Sequence, residues 1–213
     1  MIFVKYGKEA HLNVIKQGFI RFTPLFMYRE YEEEDGNNGI SDPYDGMGRL
    51  QSRQLLYEKD SKAEVFNGEV VVNVDLEGMP KLAVFCLSQY DDLAEMENRY
   101  EEMFDRFPES THCLIIFTPN QFAKDIQSIM PTIGGGTVLY GEQMMPLLEY
   151  KNRWEQGLYK RSRFSYQKEF RFIITNSSFD VPFTYKMNNH SEMVLLEKKD
   201  VKRYIVENKN ESH

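Results

Sequence analysis

Two cysteines, one tryptophan and four histidines leave this 213-residue chain little with which to build a disulfide framework or a metal centre. Cys86 and Cys113 each lie inside an apolar run, Val84-Phe85-Cys86-Leu87 and Cys113-Leu114-Ile115-Ile116-Phe117, and do not form a Cys-x-x-Cys pair, so buried, reduced thiols are expected. His11, His112, His190 and His213 lack the spacing of a ligand set, and no metal is expected. No Gly-x-Ser-x-Gly elbow and no Gly-x-Gly-x-x-Gly fingerprint occurs. Gly134-Gly135-Gly136 lacks the Lys-Ser/Thr of a phosphate loop and leads into a strand-like run, Thr137 to Tyr140, which makes it flexible punctuation. A basic excess is missing as well. The formal charge of -7 and the isoelectric point near 5.3 argue against a general grip on a phosphate backbone. No apolar run approaches a membrane span, and Met1-Ile2-Phe3-Val4-Lys5 enters a strand pattern without a signal-peptide core. The expectation is a cytoplasmic protein with no membrane partner, in which the Asn-x-Ser triplets at Asn176, Asn189 and Asn210 carry no glycan.

What is present is a globular pattern, with 41% hydrophobic and 14% aromatic residues, read as one α+β domain over 1–206 followed by a polar tail, 207–213. A strand at Ile2–Tyr6 closes at Gly7. A helix over 9–17 follows through Ala10, Val14 and Ile15, and Gly18 stops it as a left-handed cap. Phe19–Thr23 is a strand ended by Pro24, and a short helix runs from Met27 to Glu34 before the loop Asp35–Gly39. Asn67-Gly68, between two β-rich runs, predicts a type I′ hairpin. Further strands are expected at Lys81–Ser88, Thr111–Phe117, Pro182–Tyr185, Glu192–Leu196 and Arg203–Val206. Helices are expected at 91–106, at 119–130 with Thr118 as N-cap, and at 142–153 with a break at Pro146. The resulting fold class is α+β, a largely antiparallel, mixed-order sheet flanked by helices 9–17, 91–106 and 119–130.

The chemistry concentrates in Phe164–Ile174. In a strand of period two, Gln167, Glu169 and Arg171 share one face, and an amide, a carboxylate and a guanidinium follow one another at intervals of about 7 Å. The plainer alternative is that Glu169 and Arg171 pair with neighbouring strands. Just upstream, Lys151, Arg153, Lys160, Arg161 and Arg163 interleave with Trp154, Tyr159 and Phe164. Lys160, Arg161 and Arg163 could steer an anionic substrate or a nucleic-acid end toward Glu169, or simply form a solvated face. Asp42, held out of the helical region by Pro43, either caps a turn or points into a cleft.

Taken in order, Lys5-Tyr6, Phe19-Ile20-Arg21-Phe22-Thr23-Pro24, Ser41-Asp42-Pro43-Tyr44-Asp45, Val84 to Ser88, Met103 to Phe107 and Tyr166 to Arg171 resemble a widespread bacterial family of uncharacterised domains, over nearly the whole chain. That family carries an Asn-Asp-Pro-Phe-Asp motif, a Met-Trp-x-x-Tyr segment and a closing Trp-x-x-Glu-x-Glu-x-Arg strand. Here Ser41 replaces the Asn, Phe104 and Phe107 replace the Trp and Tyr, and Gln167 replaces the first Glu. The opening Val4-Lys5-Tyr6-Gly7, the glycine-ended turn at Gly18 and the late Gln167-x-Glu169 pair are also similar to ADP-ribosyltransferase folds. That resemblance implies a split antiparallel sheet gripping NAD, with Glu169 holding the ribose hydroxyls and stabilising an oxocarbenium-like transition state. Gln167 becomes a target or ribose contact. Lys5, Tyr6, Gly7, Arg21, Thr23 and Asp42 line the dinucleotide, and Lys5 stands where such folds carry a His or Arg.

Three functions are therefore expected in competition. One is an NAD-dependent ADP-ribosyltransferase or NAD glycohydrolase of bacterial or phage-defence type. Another is a non-catalytic interaction protein of a mobile-element or defence system. The third is a nucleic-acid-end binding or processing protein using the basic cluster with Asp42, Asp45 and Glu169.

Overall fold

A ten-residue strand, Lys81–Tyr90, is the axis on which the rest of the chain is assembled. Its run Leu82-Ala83-Val84-Phe85 is apolar on both sides of the alternation and buried throughout, as expected of a strand covered on both faces. The computed structural model describes residues 1–28, 48–57, 64–74, 81–142, 153–176 and 180–209. Within them the strands, numbered in chain order, are β1 (Ile2–Gly7), β2 (Phe19–Pro24), β3 (Gly48–Tyr57), β4 (Glu64–Val74), β5 (Lys81–Tyr90), β6 (His112–Ile116), β7 (Gly134–Thr137), β8 (Leu139–Gly141), β9 (Tyr159–Arg161), β10 (Glu169–Asn176), β11 (Phe183–Lys186) and β12 (Met193–Glu197).

β10 runs antiparallel along the whole of one edge of β5, from Glu169 opposite Ser88 to Asn176 opposite Lys81. The other edge of β5 is shared. β1 takes its C-terminal end, with Val4 opposite Ser88, and β2 takes its N-terminal end, with Thr23 opposite Val84. Between these two pairings Phe85, Cys86 and Leu87 have no strand partner on that side among the described residues, and the sheet forks there. β1 continues outward to β6 and β12, β2 to β11, and β10 to β7, every pair antiparallel. The expectation of an α+β fold with a largely antiparallel sheet flanked by helices is borne out. A β3–β4 ribbon and a parallel β8–β9 pair stand apart from the main sheet.

The pleat divides the core in two. Phe3, Phe85, Leu114 and Phe172 point to one face, where α1 (Glu9–Lys16) and α4 (Pro119–Ile129) cover them with Leu12, Ile15, Phe122 and Ile126. Ile2, Val4, Tyr90 and Cys113 point to the other, under α2 (Leu93–Glu97), α3 (Tyr100–Arg106) and α5 (Lys198–Asn208). Each large apolar side chain fully buried this way contributes roughly 1.5–3 kcal/mol. Gly18 stops α1 in the left-handed region, at φ 88, and its N–H donates to Ile15 O at 2.9 Å. Cys86 and Cys113 are free thiols. Among the described residues no helix is long and apolar enough to cross a membrane.

Several local expectations are corrected. Asn67-Gly68 is not a turn: β4 runs unbroken through it, with Asn67 opposite Leu55 and Gly68 opposite Gln54. A turn there would leave only Glu64–Phe66 as one arm, and the longer ladder with β3 overrides the local preference. The helix expected over 91–106 is two. Asp92 caps α2 by accepting from Glu95 N–H at 2.8 Å, and Asn98 closes it by donating to Ala94 O at 3.0 Å. Gly134–Gly136 is an edge strand, where a Cβ on Gly136 would meet Leu158 Cδ1 at 2.6 Å, so the glycines let a neighbouring turn lie against the sheet. Thr118 stands at the N-cap of α4 with Pro119 after it, as expected, but its hydroxyl makes no capping bond and accepts from Glu192 N–H at 2.9 Å. Residues 203–206 belong to α5, whose Val201 and Ile205 recur at helical spacing on the buried side, and the tail expected from Glu207 begins inside that helix. The helix expected from Met27 to Glu34 beyond Tyr28, the loop Asp35–Gly39, Asp42 and Asp45, and nearly all of 142–153 lie outside the described residues.

Candidate functional site

Glu169 is the first residue of β10, and the chain reaches it through a 3-10 turn, Ser162–Gln167, and Lys168 in the left-handed region at φ 43. Gln167 is therefore not on the strand, and the expected alternation of Gln167, Glu169 and Arg171 holds only for the last two. The kink nevertheless brings the amide and the carboxylate together around a third group. Lys160 Nζ donates to Gln167 Oε1 at 2.6 Å and to Glu169 Oε1 at 2.7 Å. Arg171 Nε donates to the second carboxylate oxygen at 2.6 Å, and its Nη1 donates to Gly157 O at 2.8 Å. Gln167 Nε2 reaches Tyr166 OH at 3.0 Å, and Tyr140 OH accepts from the backbone N–H of Glu169 at 2.8 Å. Lys160 owes its position to β9, which runs beside β8 with Lys160 opposite Tyr140.

All four polar groups are buried: Lys160 is 3% exposed, Gln167 2%, Arg171 1% and Glu169 8%. Burial pushes the Glu169 carboxyl up, but Arg171 and Lys160 more than offset this and hold it at about 2. The carboxylate is thus ionised, with one cation on each oxygen. Burial, reinforced by Glu169, pushes the Cys86 thiol up to about 11. Burial likewise raises the Tyr140 and Tyr28 hydroxyls well above their ordinary values.

The fork lies beside this cluster, since Cys86 is the residue opposite Arg171. Lys5, just past the point where β1 leaves β5, donates from Nζ to Cys86 O at 2.7 Å and stands 5.5 Å from the Phe85 ring centroid. Its ammonium does there what the N–H of a continuing strand would do. A cavity of about 120 Å³ is lined by Lys5, Tyr6, Lys160, Gln167 and Glu169 among others. A second, of about 360 Å³, is lined by Lys5, Arg21, Thr23 and Phe85, and the two share Lys5, Tyr28 and Cys86.

The residues picked from the sequence are thus distributed over one neighbourhood. Lys5 and Tyr6 meet Glu169 and Gln167, while Arg21 and Thr23 line the adjoining cavity. Gly7 ends β1 opposite His112 and is not among the residues lining either one. Of the expected steering residues, Lys160 is inside the cluster; Arg161 is partly buried and Arg163 exposed, and the Arg163 guanidinium lies 4.6 Å from the Phe164 ring centroid. Sequence reading missed Tyr28, Cys86 and Tyr140 as site residues. Cys86 acquires its place only through pairing with Arg171, 85 positions on by chain number, which no local pattern announces. Among the described residues no group of three or more His, Cys, Asp or Glu side chains could hold a metal ion. No protein-family model, curated protein or solved structure matches the chain.

Proposed function

We propose that the fork binds NAD and that the protein cleaves its nicotinamide–ribose bond, as a glycohydrolase or an ADP-ribosyltransferase, with Glu169 stabilising the cationic sugar. The observation that carries this reading is that Glu169 lines one cavity with Lys5 and Tyr6 at the head of a split sheet. Arg21 and Thr23 extend the same opening. A preorganised carboxylate in a water-poor cleft is the arrangement that lowers the barrier to an oxocarbenium-like transition state most. The pairing of Glu169 sets a condition on the chemistry. A ribose hydroxyl shares the carboxylate with Lys160 and Arg171, which each occupy one oxygen, and Lys160 has Gln167 as a second acceptor.

The test is NAD consumption by the wild type and by Glu169→Gln, with dinucleotide binding measured alongside. Turnover falls at least about a hundredfold in the variant while binding persists. A wild-type protein that neither binds nor consumes NAD removes the reading.

A second reading, a non-catalytic interaction protein of a mobile-element or defence system, is favoured by the buried ion pair on each Glu169 oxygen. A carboxylate neutralised by two buried cations is a structural ion cluster before it is a catalyst. The same assay separates the two.

A further inference from the structure

The charges on the two sides of the fork differ in how they are used. Lys160 and Arg171 spend theirs on Glu169, but Lys5 and Arg21 form no ion pair among the described residues. Among the described residues Lys5 Nζ makes one hydrogen bond, to Cys86 O, and keeps further N–H groups to give. Both cations line the 360 Å³ cavity together with His11, and no Asp or Glu lines it among the described residues. In a chain of net charge -7 this is a local excess of positive charge inside a concave site.

The remaining wall has two kinds of surface. Thr23 and Thr184 bring hydroxyls beside Arg21, Thr184 being its partner across the β2–β11 ladder. Phe19, Phe85 and Val14 supply apolar surface, and Val14, 44% exposed, is the large aliphatic side chain of α1 that stays open to solvent while Leu12 and Ile15 are buried. Cations, hydroxyls and an aromatic ring lining one cavity fit a ligand that carries both an anionic group and a flat ring.

We propose that this larger cavity is a binding site for a phosphorylated aromatic metabolite of the nucleoside monophosphate class. Lys5 and Arg21 hold the phosphate with help from the two threonine hydroxyls, and the base lies against Phe19 and Val14. The inference does not require NAD to be the ligand at Glu169.

Titration calorimetry on the full chain with AMP, adenosine and inorganic phosphate tests it. AMP binds, adenosine binds at least about tenfold more weakly, and AMP affinity falls with added salt. Arg21→Gln, at an exposed position that the fold does not need, weakens AMP at least about tenfold, and Lys5→Met does the same. Arg203→Gln, which removes a surface cation on α5, changes nothing and serves as the control for net charge. Adenosine binding as tightly as AMP, an Arg21→Gln variant with unchanged affinity, or no AMP binding at millimolar concentration each overturns the proposal. Because no turnover is read, a protein that binds AMP through Arg21 but leaves NAD intact sinks the NAD reading alone.

Discussion

Lys160 and Glu169 form an ion pair at 2.7 Å with side chains only 3% and 10% exposed. A pair this far from water is held in place by what its removal would leave behind. Glu169→Gln strands two buried cations, Lys160 and Arg171, with a neutral amide between them. The expected cost is about 3 kcal/mol or more of folding stability, read as a lower urea midpoint at unchanged slope. Activity measurements on this variant therefore belong at temperatures well below its melting point.

Acid should expose the same cluster. Glu169 has its carboxyl depressed to about 2 in the folded protein by Arg171 and Lys160 acting against burial. Its contribution is fully present above the unfolded value of about 4.3 and is lost as pH falls through the folded value. Asp125 is also held below its ordinary value, where hydrogen bonds from His190 and Gln121 outweigh burial, so it adds a loss of the same sign. Urea midpoints of the wild type should drop between about pH 5 and about pH 2. Glu169→Gln should drop less, and equal slopes in the two proteins would remove Glu169 from the account.

Gly18 tests the backbone. Its φ is 88, and a Cβ there would run into the carbonyl oxygen of Met187, whose own N–H donates to Gly18 O at 2.8 Å. Strain and clash fall on a rigid backbone junction between α1 and the segment after β11. Gly18→Ala should cost about 2 kcal/mol or more, against a few tenths for Gly7→Ala, whose Cβ would meet only Leu12 at an ordinary 3.5 Å. Thermal melts of the two variants provide the comparison.

Asp125 tests a long-range tie. From α4 it accepts from the backbone N–H of His190 at 2.8 Å, from His190 Nδ1 at 3.0 Å and from Gln121 at 2.8 Å, while it is 4% exposed. Asp125→Ala leaves these donors unmet and should cost about 2–3 kcal/mol. Hydrogen exchange should show the backbone around residues 187–192 losing protection before the central strands do.

Where a signal was local and periodic, the chain could be read directly. β1, β2 and Gly18 follow from Ile2-Phe3-Val4, from Phe19 to Thr23, and from one glycine with no side chain to resist φ 88; α1 forms where expected, but its buried side is Leu12 and Ile15, with Ala10 and Val14 exposed. Asn67-Gly68 misled because the turn preference of a dipeptide is small beside the ladder that β3 offers. The site was half legible. Glu169 and Arg171 stood out as charges in an apolar strand, and Lys5 and Tyr6 as the end of another. What could not be read was that Lys160 belongs inside. A lysine in a basic, aromatic run looks like surface until a parallel pairing with Tyr140 and a left-handed residue at Lys168 turn it toward Glu169.

The fork at Cys86 has a mechanical meaning. A continuous sheet resists separation of adjacent strands through a row of amide–carbonyl bonds that must break together. Beside Cys86 that row is interrupted, and one ammonium on a flexible four-carbon stem bridges the interruption. The two wings are thus joined at this point by a side chain, while Phe3 of β1 and Ile20 and Phe22 of β2 meet in one buried cluster that ties them together behind it.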